Sequence, residues 1–197
     1  MVLPALRSND DTPNKVAAAV LAYVGRVPRS KLSASKSPAD AARKTANAAA
    51  AKAALAAGSL ALPPGPLGWL TLLPEMIAVW KIQSQMVADI ASLYGRSSTL
   101  SKEHLIYCLF KHTASQAVRD LVVRVGERLL VKQVTTMALQ TVAKKIGVKV
   151  SQGAVAKAAA RWLPIVGAMG VGAYAYYDTA QVAKTAMELF EYDNVSP

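Results

Sequence analysis

One cysteine, Cys108, stands among 197 residues, so no intramolecular disulfide can form and the chain suits a reducing compartment, the cytoplasm by default. Catalytic signatures are also missing. There is no GxxxxGKS/T phosphate loop, GxSxG elbow, HExxH helix or paired-cysteine motif, which disfavours an enzyme of any standard class. Acidic side chains are scarce, 12 against 23 basic, and the formal charge of +11 calls for an anionic partner. A phospholipid surface, an acidic protein face and a nucleic acid all qualify. Without a DNA-binding motif or an aromatic stacking platform, nucleic acid is disfavoured. The start, MVLPALRSNDDTPNK, shows no secretory signal, Val2 does not suit N-myristoylation, and the C-terminus has no prenylation box. Membrane attachment, if the protein has any, is expected to come from the fold itself. There is no repeat of 20 to 50 residues, and no alternating strand pattern beyond the short IGVKVS at 146–151.

What the chain does have is apolar helix formers. At 53% hydrophobic, much of it alanine, the composition predicts an all-α protein, one helical domain with a real core. Asp10-Asp11-Thr12-Pro13 is a helix start, followed by Val16, Val20, Tyr23 and Val24 at helical spacing. The segment GRVPRSKLSASKSP at 25–38 reads as an exposed, basic, flexible linker. Residues 1–37 are thus an N-terminal helix and linker, 38–190 the helical domain, and 191–197 a frayed end.

Within that domain, Ala53 to Pro74 is 22 residues without a charge, enough in count to cross a bilayer. Pro63-Pro64-Gly65-Pro66 breaks it into two limbs of about 15 Å each, which predicts a hairpin rather than a span. The hairpin leads into a central amphipathic helix from Glu75 to Tyr94, striped by Val79, Ile82, Met86, Ile90 and Leu93 and ended by Gly95. Ser101 then caps a short helix with Leu105, Ile106, Leu109 and Phe110 on its buried face. From Ser115 to Gly147 the absence of proline and a slowly drifting apolar face predict one long helix. On it Arg124, Arg128 and Lys132 recur every four residues, with Lys144, Lys145 and Lys149 beyond. A short helical piece at Val155 to Trp162 and a last helix from Pro164 to Phe190 complete the chain.

Leu73-Pro74-Glu75, then Gln83, then Ala91-x-x-Tyr94-Gly95, and later Leu163-Pro164-Ile165-Val166-Gly167 with a terminal Phe190 carry a resemblance. Over roughly 39–190 the chain resembles the EcsC family of bacterial helical proteins. The family's usual aspartate is Glu75 here, and Trp80 and Lys81 interrupt a more uniformly apolar stretch. The resemblance implies an all-helical, membrane-associated or transport-linked protein with no agreed chemistry. Its motif positions are Glu75, Gln83, Tyr94, Gly95, Pro164 and Gly167.

Three constellations have stronger structural than chemical readings. His104, Cys108 and His112 share a helical stripe, but an axial row resists tetrahedral ligation, so no metal is assigned. Gly170-x-Gly172-x-x-Ala175 lacks the strand a dinucleotide fingerprint needs and reads as close helix packing of Ala168 and Gly172, so no cofactor is assigned. Glu75 and Asp89 lie about 21 Å apart along one helix, too far for one reaction centre, and Glu75 reads as a first-turn residue favoured by the helix dipole. No catalytic residue and no small-molecule substrate is identified. The expected function is a non-catalytic accessory protein, cytoplasmic or peripheral to the inner membrane face. It would approach an anionic membrane surface through Arg124, Arg128, Lys132, Lys144, Lys145 and Lys149, and then make apolar contact through Leu60, Leu62, Leu67, Trp69, Leu70, Leu72 and Leu73. The alternative is a soluble interaction module for an acidic protein partner.

Overall fold

The computed structural model describes residues 11–24, 26–60, 68–125, 128–160 and 164–192. Among them run seven α-helices: α1 (Asp11–Val24), α2 (Pro38–Leu60), α3 (Gly68–Leu93), α4 (Lys102–Phe110), α5 (Ser115–Val118), α6 (Thr136–Ala160) and α7 (Pro164–Tyr192). A 3-10 turn at Arg119–Leu121 leads into the only sheet described, a ribbon of β1 (Val122–Val125) and β2 (Arg128–Val131). The protein is all-α, with that ribbon as an accessory.

The core gathers Val16 and Val20 of α1, Trp80, Met86, Val87 and Ile90 of α3, all of α4 from Leu105 to Phe110, Val142 and Ile146 of α6, and Val182, Leu189 and Phe190 of α7. Trp80 meets Phe110 edge-on with ring centroids 5.4 Å apart, a geometry that aromatic quadrupoles favour. The residues expected on the buried face of α4 are all in this core. So is most of the stripe expected on α3, with Ile82 at its margin.

Three sequence expectations are corrected. The central helix begins at Gly68 rather than Glu75 and carries Pro74 inside it. A proline so near a helix start forfeits one backbone bond, which the rest of a 26-residue packed helix offsets. Second, Ser115 to Gly147 is not one helix. Its middle, VVRVGERLLV, pairs antiparallel with Val122 opposite Val131 and Val123 opposite Leu130. The β-branched valines suit paired strands better than a helix, although the same apolar spacing fits both. Val122 and Val131 pack on the core while Val123 and Leu130 are exposed, which is the alternation of a ribbon with one face covered. Third, α6 runs unbroken from Thr136 to Ala160, taking in both IGVKVS and the stretch expected as a separate helix from Val155.

Two close approaches explain particular glycines. A Cβ on Gly147 would overlap the Pro13 carbonyl and press on Ala17, so only glycine lets α6 cross α1 at this depth. A Cβ on Gly172 would lie 3.1 Å from the Ala54 carbonyl oxygen. The glycine-rich helix therefore makes a close approach to α2, its principal neighbour, with α3 second.

The basic segment before α2 is exposed but tied down as a strap along α3. Ser30 donates to the Asp89 carboxylate at 2.7 Å, Gln85 donates to the Arg29 carbonyl at 3.2 Å, Ser92 donates to the Leu32 carbonyl, and the Ser35 amide donates to the Leu93 carbonyl at 3.0 Å.

Candidate functional site

Of the basic positions, Lys132 is exposed just past β2, and Lys144, Lys145 and Lys149 are exposed on α6. None of the described ion pairs includes these four lysines. Arg124 and Arg128 fall on opposite strands of the ribbon, set across from Leu129 and Val125. The four-residue row expected of Arg124, Arg128 and Lys132 does not exist, because the antiparallel pairing puts Arg124 and Arg128 on different strands. The lysines on α6, by contrast, share a surface. Met137, Thr141, Lys144 and Val148 follow one helical line, with Lys145 and Lys149 beside it, and all six are exposed. Val142, Ala143 and Ile146 face the core from the other side.

The apolar positions are only partly visible. Leu62 and Leu67 lie outside the described residues, Leu60 closes α2, and Trp69, Leu70, Leu72 and Leu73 belong to the first turns of α3, with side chains that are also outside the description. Near the α2–α7 crossing, however, Leu55 is 75% exposed, Met169 71% and Tyr177 60%, with Tyr176 exposed as well. Among the described residues no helix is long and apolar enough to cross a membrane.

The residues singled out as motif positions prove structural in identifiable ways. Gly95 takes φ +73, donates to the Ser92 carbonyl at 2.9 Å, and is followed by Arg96 donating to the Ala91 carbonyl at 2.7 Å. That is a Schellman closure of α3, and a left-handed residue is what it requires. Tyr94 beside it is buried with its hydroxyl unpartnered, and burial, reinforced by Glu191 and opposed by Arg43, raises its pKa. Pro164 opens α7 and Gly167 lies in its first turn. Glu75 is only 8% exposed and lies well inside α3 rather than in its first turn.

Gln83 is fully buried and joins α3 to α7, donating to the Asp178 carboxylate at 2.7 Å and to the Thr179 hydroxyl at 3.2 Å. The other Asp178 oxygen meets His112 Nε2 at 2.6 Å. Tyr174 donates to the same carboxylate, and burial together with that negative charge pushes its pKa up to about 12, so the hydroxyl keeps its proton. Sequence reasoning missed Asp178. Nothing in its local pattern separates it from a solvated helix residue; only the pairing across the fold reveals it.

A small cavity of about 110 Å³ adjoins this network, lined by Glu75, Thr113, Tyr174, Asp178 and the Trp80–Phe110 pair. The arrangement holds three elements together, with Asp178 as the shared acceptor. It also separates the row of possible ligands. His112 turns to Asp178, His104 takes the N3 position of the α4 capping box with Ser101 and stacks on Phe190, and Cys108 is wholly buried with its thiol pushed up to about 12 by desolvation. A thiol so raised is protonated and unreactive at neutral pH.

A family model, that of the EcsC protein family, matches residues 29–192. No curated protein and no solved structure matches the chain.

Proposed function

Because the chain belongs to the EcsC protein family, we propose that it is a non-catalytic accessory protein acting at the cytoplasmic face of a membrane, where it binds anionic lipid or a membrane partner. The observation that carries this reading is the outward face of α6. Lys144, Lys145 and Lys149 stand in solvent there with Met137, 77% exposed, and Val148 among them. Interleaved cations and apolar side chains on one helix face suit adsorption to an anionic surface, with roughly 1 kcal/mol from each lysine at the headgroups. The exposed Leu55, Met169, Tyr176 and Tyr177 supply apolar and amphipathic contacts of the kind that settle at a membrane interface.

Co-sedimentation with liposomes tests it. The native chain is expected to pellet with phosphatidylserine-containing vesicles, to remain in the supernatant with pure phosphatidylcholine, and to be released by salt. Replacing Lys132, Lys144, Lys145 and Lys149 together by Glu should abolish pelleting. Equal binding before and after the replacement sinks the reading.

A second reading, an adaptor for an acidic protein partner, draws on a different observation. Arg119, Lys145, Lys149 and Val148 line an open groove of about 680 Å³ between α5 and α6. A concave basic groove suits acidic side chains better than a flat bilayer does. Under this reading the chain ignores liposomes at physiological salt.

A further inference from the structure

We propose that the groove between the strap, α2 and α3 is a binding site for one long-chain fatty acid. This inference does not rest on the membrane reading, since it uses neither the α6 lysines nor the exposed residues near the α2–α7 crossing. The groove measures about 1120 Å³, at the upper end of what small-molecule sites reach. Ala49 and Met86 form its floor, and Val27 and Leu32 of the strap form one wall. Leu32 is 43% exposed there, an apolar side chain with no neighbour to cover it fully. The surface calls for hydrocarbon.

Its rim calls for an anion. Arg26, Lys52 and Lys81 come from three different segments to the same opening, and none of the described ion pairs engages them. The carboxylate that also lines the groove, Asp89, is already held by Ser30 and Gln85. Between rim and floor lies Ser84, 4% exposed, whose hydroxyl has no hydrogen-bond partner among the described residues. A buried hydroxyl is normally satisfied, and a carboxylate head entering past the three cations would satisfy this one.

The same groove argues against other ligands. Among the described residues that line it there is no aromatic ring on which a nucleobase could stack. A small polar metabolite would leave its apolar floor bare. The strap's hydrogen bonds to α3 hold the wall in place, so the ordering cost of binding is small.

Calorimetric titration of the full chain with sodium oleate, kept below its critical micelle concentration, tests the proposal. One saturable site per chain is expected. Replacing Arg26, Lys52 and Lys81 by Gln should weaken binding by about fivefold per charge removed, and oleyl alcohol should bind the native chain as weakly as oleate binds the triple variant. Ala48→Trp, at an exposed position on the groove wall, should block the site, with circular dichroism verifying that the helices remain. The triple variant changes only exposed side chains and keeps the test valid if the tryptophan disturbs folding. Absence of saturable oleate binding overturns the proposal. So does binding unchanged by the triple replacement, or a dimer in sedimentation that closes the groove and excludes oleate. The variant with Lys132, Lys144, Lys145 and Lys149 replaced by Glu should bind oleate normally while losing liposomes, so the two readings fail separately.

Discussion

Helices α3 and α6 are almost equal in length, 26 and 25 residues, and are used in opposite ways. From Val79 to Tyr94, α3 is buried at most positions, including the polar Gln83, Ser84 and Ser92. Over Met137 to Gln152, α6 buries a narrow stripe and leaves its other positions largely in solvent. The helix that carries buried polar side chains organises the fold, because each must find a partner or leave a cost, and so fixes its neighbours in one arrangement. Over that span of α6 the polar side chains, Ser151 excepted, lie outward, and that face is free to meet something else.

The comparison breaks most sharply at Asp178. Asp178→Ala removes the acceptor shared by Gln83, His112 and Tyr174 and should destabilise by about 3 kcal/mol in urea denaturation, since it strands buried donors. A loss near zero would mean that the seam between α3 and α7 does not need its polar centre. Next comes the one deep contact that α6 makes. Gly147→Val should cost about 2 kcal/mol, through the forced separation of α6 from α1, read as a lower melting temperature.

Glu103 comes third, with a pH signature. Burial alone would raise its pKa, but hydrogen bonds from Ser101 and from the backbone amides of Glu103 and Val134 outweigh that and lower it. A carboxylate with a lowered native pKa contributes stability above its unfolded pKa and loses it as pH falls through the native value. Glu103→Gln should therefore cost about 1 kcal/mol at neutral pH and less in acid, where the two melting curves converge. Smallest of all, Lys132, Lys144, Lys145 and Lys149 replaced together by Glu should change stability by less than about 0.5 kcal/mol per site, although the same change is expected to abolish liposome binding. A large loss of stability there would make α6 a scaffold like α3.

How much of this was legible in the sequence differs along the chain for physical reasons. Local chemistry that acts within one turn was readable: Ser101 as the cap of α4, Gly95 as the stop of α3, Pro164 as a helix start. The stripe of α3 was readable because Met86, Ile90 and Leu93 recur with an unambiguous helical period. At Val122 to Val131 the period was ambiguous, and the outcome turned on strand pairing that periodicity along the chain does not contain. The polar centre was half legible. Gln83 stood out by resemblance alone, while Asp178 and His112, 66 positions apart, have no local sign of their meeting. The strap was misjudged for a similar reason. Its Ser and Pro content is that of a linker, and only the carbonyls and hydroxyls facing α3 hold it.

The Gly147 crossing also bears on where the folding unit begins. The family match starts at residue 29, after α1. Yet α1 sends Val16, Ala17 and Val20 into the common core, and α6 has given up a side chain to receive it. A chain cut at the family boundary would open Ala143 and Ile146 to water and leave a furrow shaped for a helix it no longer has. In this protein the packed unit reaches beyond the region that the family model matches.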